Sequence, residues 1–538
     1  MHIISRYLPV IFLFFICSAA VFTSCADKKV KYETVERDTT ITRANAYSDI
    51  FIDSLKLEAF LSSENLADTS AILIRNFYNS RNYQFAWFTK SGLTEQAIAF
   101  WNLHNNFIKY NKDNSFTDSS LHNQMQTLLA QDSSEFRLEE KLIGTELQLT
   151  EHFFEFAKYA YTGKVDPQIL QWHIPRKKIN VISLLDSLLT NKNIEAWEPV
   201  NDQYRQLNSK LKNYYELEKT VQFDSISSDK KKVFKRGDKS EIVREIKERL
   251  HLLGYYNEAD TSDLFNDELK NTVMGFQKNH GLKTDGMIRS TVIDALNVPL
   301  QQRIKQMLVN MERMRWMPNE TKGNRIVVNI PEYILHVYDS AGKVFDIDIV
   351  VGTSAHRTVV FNDMLKYVVF APYWNIPSSI VKNEILPAMK RNANYLASKR
   401  MEQTGSSNGL PVIRQLPGGD NSLGQVKFIF PNTYNIYFHD TPAKTLFSNT
   451  SRAFSHGCIR LAEPKKMAQY LLRFQPDWTD EKIDSAMNAD KEKWVVLKDA
   501  IPVLITYFTA WVDAEGQLNF RNDIYGHDKK MQELMFKN

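Results

Sequence analysis

The sequence predicts a multidomain α+β protein: an all-α block on the N-terminal side, a small three-helix module after it, and a mainly-β domain on the C-terminal side. Three observations predict this class. At 538 residues the chain is longer than one hydrophobic core organises. Over residues 46–221 apolar side chains recur three and four apart, the period of a helix with one buried face. From Arg325 onward β-branched and aromatic residues gather in short runs separated by Gly, Pro and Asp turns, the signature of hairpin strands. Hydrophobic residues at 43% and charged residues at 24% are ordinary for a globular protein. A formal net charge of +4, with no long basic run, argues against nucleic acid and against a strongly acidic partner.

Taken in order, the chain starts with Arg6, an apolar stretch over residues 7–22, and small residues at 18–20 and 23–24. Residues 1–24 are therefore expected to be an export signal; the apolar run is marginal for a spanning helix, which needs roughly 20 residues. Thr23-Ser24-Cys25 resembles the lipobox of bacterial lipoproteins, which implies that Cys25 carries lipid and tethers the chain to a membrane. Phe22 departs from the Leu usual there, so simple cleavage and a retained anchor are the alternatives. Residues 25–45 are polar and charged and are expected to form a solvated tether.

Residues 46–224 are expected to form a helical scaffold domain. Residues 146–160 carry apolar side chains at helical spacing, and Gly163 with Pro167 marks a stop and a turn. The aromatic patch at residues 82–88 is expected to pack between helices. A lysine-rich linker over residues 225–232 separates this block from the next. Residues 234–298 show an Arg-Gly-Asp opening at 236–238, an apolar stripe of Ile242, Ile246, Leu250 and Leu253, a Leu-Gly-Tyr turn at 253–255, Phe276-Gln277-Lys278, and a Thr284-Asp285-Gly286 turn. These features resemble the peptidoglycan-binding type-1 domain, a module that either touches the wall or only spaces the domains around it. Residues 299–323, with Ile304, Met307, Leu308, Met311 and Met314 on one stripe, are expected to be a linking amphipathic helix.

The β-rich domain is placed at residues 324–512. Strands are expected at 325–330, 334–338, 345–351, 365–370, 427–430, 435–439 and 502–507, with a helix over 465–473 and a C-terminal tail over 513–538. Within it the run 454–461 holds Cys458. Cys17 would leave with the signal and Cys25 would carry lipid, so Cys458 would be the one thiol left, and neither an intrachain disulfide nor a cysteine-based zinc site fits. A lone exported thiol is either a small buried apolar residue or a nucleophile. Two histidines favour the second: His439, one expected strand and loop upstream, and His456, two residues away. Cysteine with histidine is the minimum kit for acyl transfer through a thioester.

Ile436-Tyr437-Phe438-His439-Asp440-Thr441-Pro442 followed by Ser455-His456-Gly457-Cys458-Ile459-Arg460 resembles the active-site signature of the L,D-transpeptidases (YkuD-type catalytic domain). Residues 371–377 and 418–428 match further blocks of that family, and the whole chain resembles its large branch, in which a helical scaffold and a wall-binding module accompany the catalytic domain. The residue chemistry stands beside that resemblance. Cys458 is the expected nucleophile. His439, fixed on a strand, is preferred as base over His456, whose expected part is to orient the loop or substrate. Gly457 permits a tight turn whose N–H, with that of Cys458, would face an oxyanion. Tyr437 shares a strand face with His439 and is implied by the resemblance to line the oxyanion or donor pocket. Arg460 shares a face with Cys458 and suits a stem carboxylate, unless it serves a structural ion pair. Ser455 is placed among the substrate-binding residues. Trp374 either walls the cleft or packs in the core.

The resemblance further implies a lid over the cleft at residues 378–425, no metal or cofactor, acylation by carbapenems, and peptidoglycan peptide stems as substrates. The implied reaction releases the terminal D-alanine of a tetrapeptide stem and forms a 3→3 cross-link on the periplasmic side of the cell envelope. Water as acceptor would make the protein a carboxypeptidase, and a lipoprotein amine would make it an anchoring or releasing enzyme. A non-catalytic wall-binding lipoprotein is the reading from another class.

Overall fold

The structure is a computed structural model that describes residues 33–63, 66–111, 117–130, 141–190, 198–227, 232–256, 260–318 and 323–536. The expected export signal, Cys17 and the lipidation candidate Cys25 lie outside the described residues. The chain divides into two compact units, one comprising residues up to Ile98 with Asp118–Phe154, the other Ala99–Thr117 with Glu155–Asn538.

In the first unit, helices Ser54–Ser63, Asp68–Asn79 and Ser119–Ala130 accompany a short hairpin, Phe88–Thr89 with Gly92–Leu93. Phe85, Trp87 and Phe88 of the aromatic patch are buried, as their composition demands. Glu146 is buried with them, where its carboxylate accepts the Ala86 and Trp87 N–H groups and the Tyr78 hydroxyl. The expected tether is held over its described part. Asn76 accepts the Val35 N–H at 2.9 Å and donates to Glu33 O at 2.8 Å, while Asn79 donates to Val35 O at 2.8 Å. Two asparagine amides, each able to donate and accept like a peptide group, thus hold a segment that is largely exposed, as its composition leads one to expect.

In the second unit, residues 234–298 form three helices, Glu241–Leu252, Asp267–Asn279 and Ser290–Leu296, around their own core of Val243, Ile246, Leu250, Leu269, Val273 and Phe276. Gln277 Oε1 accepts the Asp285 and Gly286 N–H groups, which clamps the turn that the sequence motif marks. The linking helix, Leu300–Trp316, buries the expected stripe and is amphipathic over its first half, but every residue from Met307 to Trp316 is buried, so its second half has no solvated face. Its charges are internalised because each finds a partner. Arg313 meets Asp528 at 2.6 Å, and Arg315 meets Glu312 at 2.7 Å and the Tyr204 hydroxyl at 2.9 Å.

The β domain is a sheet in the spatial order Val426–Ile429, Phe438–His439, Ile459–Leu461, Gly342–Gly352, Ile334–Asp339, Arg325–Asn329, Lys493–Thr506, Val360–Phe370, with Trp172–His173 at the end. Val426–Ile429 also pairs with Val360–Phe370, so the sheet closes on itself. Register explains which side chains go inside. Ile459, Phe438, Phe428, Val368 and Val495 are cross-strand partners and all lie in the core. One residue along, Arg460, His439, Lys427, Val369 and Trp494 are partners on the opposite face, because strand side chains alternate.

Residues 378–425, the expected lid, hold short helices at Ser378–Ile380, Leu386–Arg391 and Tyr395–Ser398, a π-type turn at Val381–Ile385, and the hairpin Met401–Ser407 with Leu410–Gln415. This insertion has a small core of its own, made by Ile376, Val381, Ile385 and Ile413. The expected tail, residues 513–538, is corrected: Leu518–Phe520 pairs with Ala510–Val512, helix His527–Met535 follows, and Tyr525 and Met531 enter the core of the β domain.

Candidate active site

Cys458 sits between strands Ala453–Ser455 and Ile459–Leu461, at the end of a tight turn. Gly457 has φ +111°, a conformation that favours glycine, so the turn needs that residue. Ser455 is buried and ties the turn internally: its hydroxyl donates to Cys458 O at 2.6 Å and accepts the Gly457 N–H at 3.1 Å. The Gly457 N–H is therefore spent within the turn and does not face an oxyanion, which corrects that part of the expectation. The Ser455 side chain likewise bonds within the turn.

The strand before the turn is shorter than expected. Phe438–His439 alone pairs in the sheet, because Asn432 holds a loop by accepting the Tyr434 and Ile436 N–H groups, and Asn435 has φ +57°. Tyr437 still lies on the face that carries His439, with their rings 5.8 Å apart. The Cys458 thiol points to Asn435 O at 3.5 Å, and Tyr437 lies close enough to bear on its titration. Burial raises the tyrosine hydroxyl well above its ordinary pKa, so it stays a proton donor.

His439 is buried and its Nδ1 is 2.5 Å from Asp440 O. A carbonyl only accepts, so the proton sits on Nδ1 and Nε2 is left as a lone-pair acceptor. Burial, followed by the charge of Arg460, pushes the imidazole down to about 4, so it is neutral at physiological pH. The carbonyls of Asp440 and Leu423 oppose that shift and favour the charged ring once it accepts a proton. Asp440 also fixes the loop above the histidine: its carboxylate accepts the Gln425 N–H at 2.9 Å and pairs with Lys444 at 2.7 Å. Any side chain at Gly424 (φ +63°) would strike that carboxylate.

Burial pushes the Cys458 thiol up, while Tyr437 and Arg460 pull it down. Arg460 is half-buried, and its Nε has no hydrogen-bond partner among the described residues. Arg460 is the register partner of His439, its charge bears on both that imidazole and the Cys458 thiol, and Tyr437 lies beside His439. His456 points elsewhere: half-exposed, it lies 3.6 Å from the Glu384 carboxylate of the insertion, with its ring 4.8 Å from that of His356. Trp374 pairs with Gln415 and packs on the insertion's own core. Sequence reasoning missed Glu384, the Asp440 and Leu423 carbonyls, and the groups behind the turn; a backbone carbonyl leaves no signature in side-chain identity. Among the described residues no group of three or more His, Cys, Asp or Glu side chains is placed to hold a metal ion, and no helix is long and apolar enough to cross a membrane.

Comparison with known proteins gives consistent assignments along the chain. Residues 323–503 match the family model of the L,D-transpeptidase catalytic domain, residues 73–211 that of a scaffold domain, and residues 239–296 that of a "Putative peptidoglycan binding domain". A Haemophilus influenzae protein described as "Putative L,D-transpeptidase" is 31% identical over 242 residues, which are 42% of this chain and 49% of that one. The chain thus spans about half the length of this curated relative. Among solved structures, an L,D-transpeptidase from Stackebrandtia nassauensis is 15% identical, with 53% of this chain and 97% of that one covered and a TM-score of 0.19. One from Mycobacterium smegmatis is 14% identical, with 35% and 60% covered and the same TM-score of 0.19. Likeness at these scores says nothing about activity. The expected combination is borne out at the level of domain types: a helical scaffold, a peptidoglycan-binding-type helical module and a mostly-β L,D-transpeptidase catalytic domain.

Proposed function

We propose that the chain is an exported peptidoglycan L,D-transpeptidase that builds 3→3 cross-links through a thioester on Cys458. The observation that carries this reading is that His439 and Arg460 are register partners on adjacent strands, the second of which begins next to Cys458 in the chain, with the Arg460 charge bearing on both the imidazole and the thiol. Histidine Nε2 takes the thiol proton, and the sulfur attacks the carbonyl that joins the stem's diamino acid to its terminal D-alanine. The carbon–nitrogen bond breaks, the proton returns to the leaving amine, and D-alanine departs. A side-chain amine of a second stem then attacks the thioester, gives its proton to His439, and restores the thiol. Arg460 would hold a stem carboxylate, since its guanidinium lies beside the nucleophile. Carbapenems would acylate the same sulfur, because their strained amide carbonyl presents the same electrophile.

Export to the periplasmic side and a lipid anchor on Cys25 belong to the same proposal and rest on the N-terminal sequence pattern. The decisive experiment incubates purified protein and its Cys458→Ala variant with tetrapeptide muropeptides and reads products by mass. Cross-linked dimers from the unaltered protein alone are expected. Tripeptides without dimers would reassign the acceptor to water, and no product from either protein would end the catalytic reading. Cys25→Ser should leave the in vitro products unchanged while releasing the protein from the membrane fraction of cells.

A further inference from the structure

We infer that Thr358 and Tyr525 are positioning residues that aim the Cys458 N–H at the oxyanion; the inference rests on the acyl-transfer reading above. Behind the nucleophile turn, Thr358 Oγ1 donates to Gly457 O at 2.8 Å and accepts the Gly352 N–H at 2.9 Å. The Tyr525 hydroxyl donates to Gly352 O at 2.7 Å and accepts the Thr358 N–H at 3.2 Å. Each hydroxyl therefore gives one proton and receives one, which fixes the direction of all four bonds. Both side chains are buried. Tyr525 is held in turn: its N–H donates to the Tyr507 hydroxyl at 2.9 Å, which donates to Asp523 at 2.7 Å.

The consequence follows from peptide geometry. Gly457 C=O and Cys458 N–H belong to one planar trans unit, so they point in opposite directions. Anchoring the carbonyl on the buried Thr358 directs the Cys458 N–H the opposite way, away from Thr358. The other two polar groups of the turn, the Gly457 N–H and Cys458 O, are already spent on Ser455. Among the backbone groups of Gly457 and Cys458, the Cys458 N–H is the donor left to meet the charge that develops on the attacked carbonyl, and its aim depends on a hydroxyl that touches no substrate. Tyr525 comes from the segment expected as a tail, so the C-terminal residues take part in the geometry of the nucleophile.

The test separates a reaction that needs an oxyanion donor from one that does not. Acylation of Cys458 by a carbapenem passes through a tetrahedral oxyanion, whereas alkylation by iodoacetamide displaces iodide at a saturated carbon. In Thr358→Val the acylation rate constant, followed by mass, is expected to fall about tenfold to a hundredfold, within what one oxyanion donor is worth. Alkylation at the same pH should change less than about twofold, since the thiol's own partners are untouched, by the same donor logic. Thr358→Ser should restore acylation, and Tyr525→Phe should lower it while the thermal midpoint reports that the fold survives. Equal falls in both reactions, or no fall in acylation, would overturn the inference while leaving acyl transfer standing. Failure of the unaltered protein to form any Cys458 acyl adduct would overturn both.

Discussion

His439 and Cys458 are tuned in opposite directions, and their pH behaviour follows from that. The imidazole, held down to about 4 chiefly by burial, is neutral and able to accept a proton at every pH above that value. The acid limb of kcat/KM for the free enzyme should therefore fall near pH 4 and not near the ordinary histidine value of about 6.5. A limb near 6.5 would show that the ring is solvated or that another group is the base. The thiol moves the other way, raised by burial and restrained by Tyr437 and Arg460. Iodoacetamide reactivity of the unaltered protein should keep climbing through alkaline pH. In Arg460→Gln the climb should shift to still higher pH, because the cation that favours thiolate is gone; an unshifted curve would remove Arg460 from the nucleophile's electrostatics. Cys458 was legible as the one thiol expected to remain and His439 from the resemblance of the runs around both, while Tyr437 and Arg460 were legible from alternation. Residues 437 and 439, and 458 and 460, are two apart in the sequence. What supports them was not legible, because a carbonyl such as Asp440 O, or a buried hydroxyl such as that of Thr358 in a loop distant in sequence, has no local pattern.

At the scale of elements, the helix Leu300–Trp316 shows where periodicity misleads. Glu312, Arg313 and Arg315 read as a solvated face, since such residues are seldom fully buried without partners. Their partners come from four other parts of the chain: Asp528, Tyr204, Asn111 and the Val165 N–H, which donates to Glu312 at 2.9 Å. Glu312→Ala should cost about 3–5 kcal/mol of stability, because it leaves the Arg315 guanidinium buried without its anion. Urea unfolding of the full chain measures this, and a loss below about 1 kcal/mol would place the pair in the class of exposed ion pairs. Glu312→Gln, which keeps an acceptor for Val165, should cost less. The insertion shows the converse. Its place at residues 378–425 was legible from a long gap between strands, but its own core of Ile376, Val381, Ile385 and Ile413 was not, since none of these residues forms a periodic run.

At the scale of the molecule, the three-helix module and the nucleophile turn share one stretch of chain. Arg521 donates to Asn279 O at 2.8 Å, Phe520 meets the His280 ring at 5.6 Å, and four residues later Tyr525 stands behind the Cys458 turn. The module has its own core, so it needs this contact for placement and not for folding. Domain order was legible from composition and turn motifs; this seat was not, because it lies in residues whose polar character reads as a tail. If the module presents wall to the catalytic domain, weakening the seat should hurt reaction on an insoluble network far more than on soluble stems. Arg521→Ala removes the hydrogen bond, and Gly281→Ala attacks the same seat from the other side, since its Cβ would lie 2.7 Å from Arg521 Cδ. Both variants should lower cross-linking of isolated sacculi several-fold while leaving turnover of soluble tetrapeptides within about twofold, the span of one weakened surface contact. Equal losses on both substrates would mean that the segment acts through Tyr525 on the nucleophile. No loss on sacculi would make the module a spacer, because a wall-binding element whose placement does not matter contributes nothing to where the thiol meets its substrate.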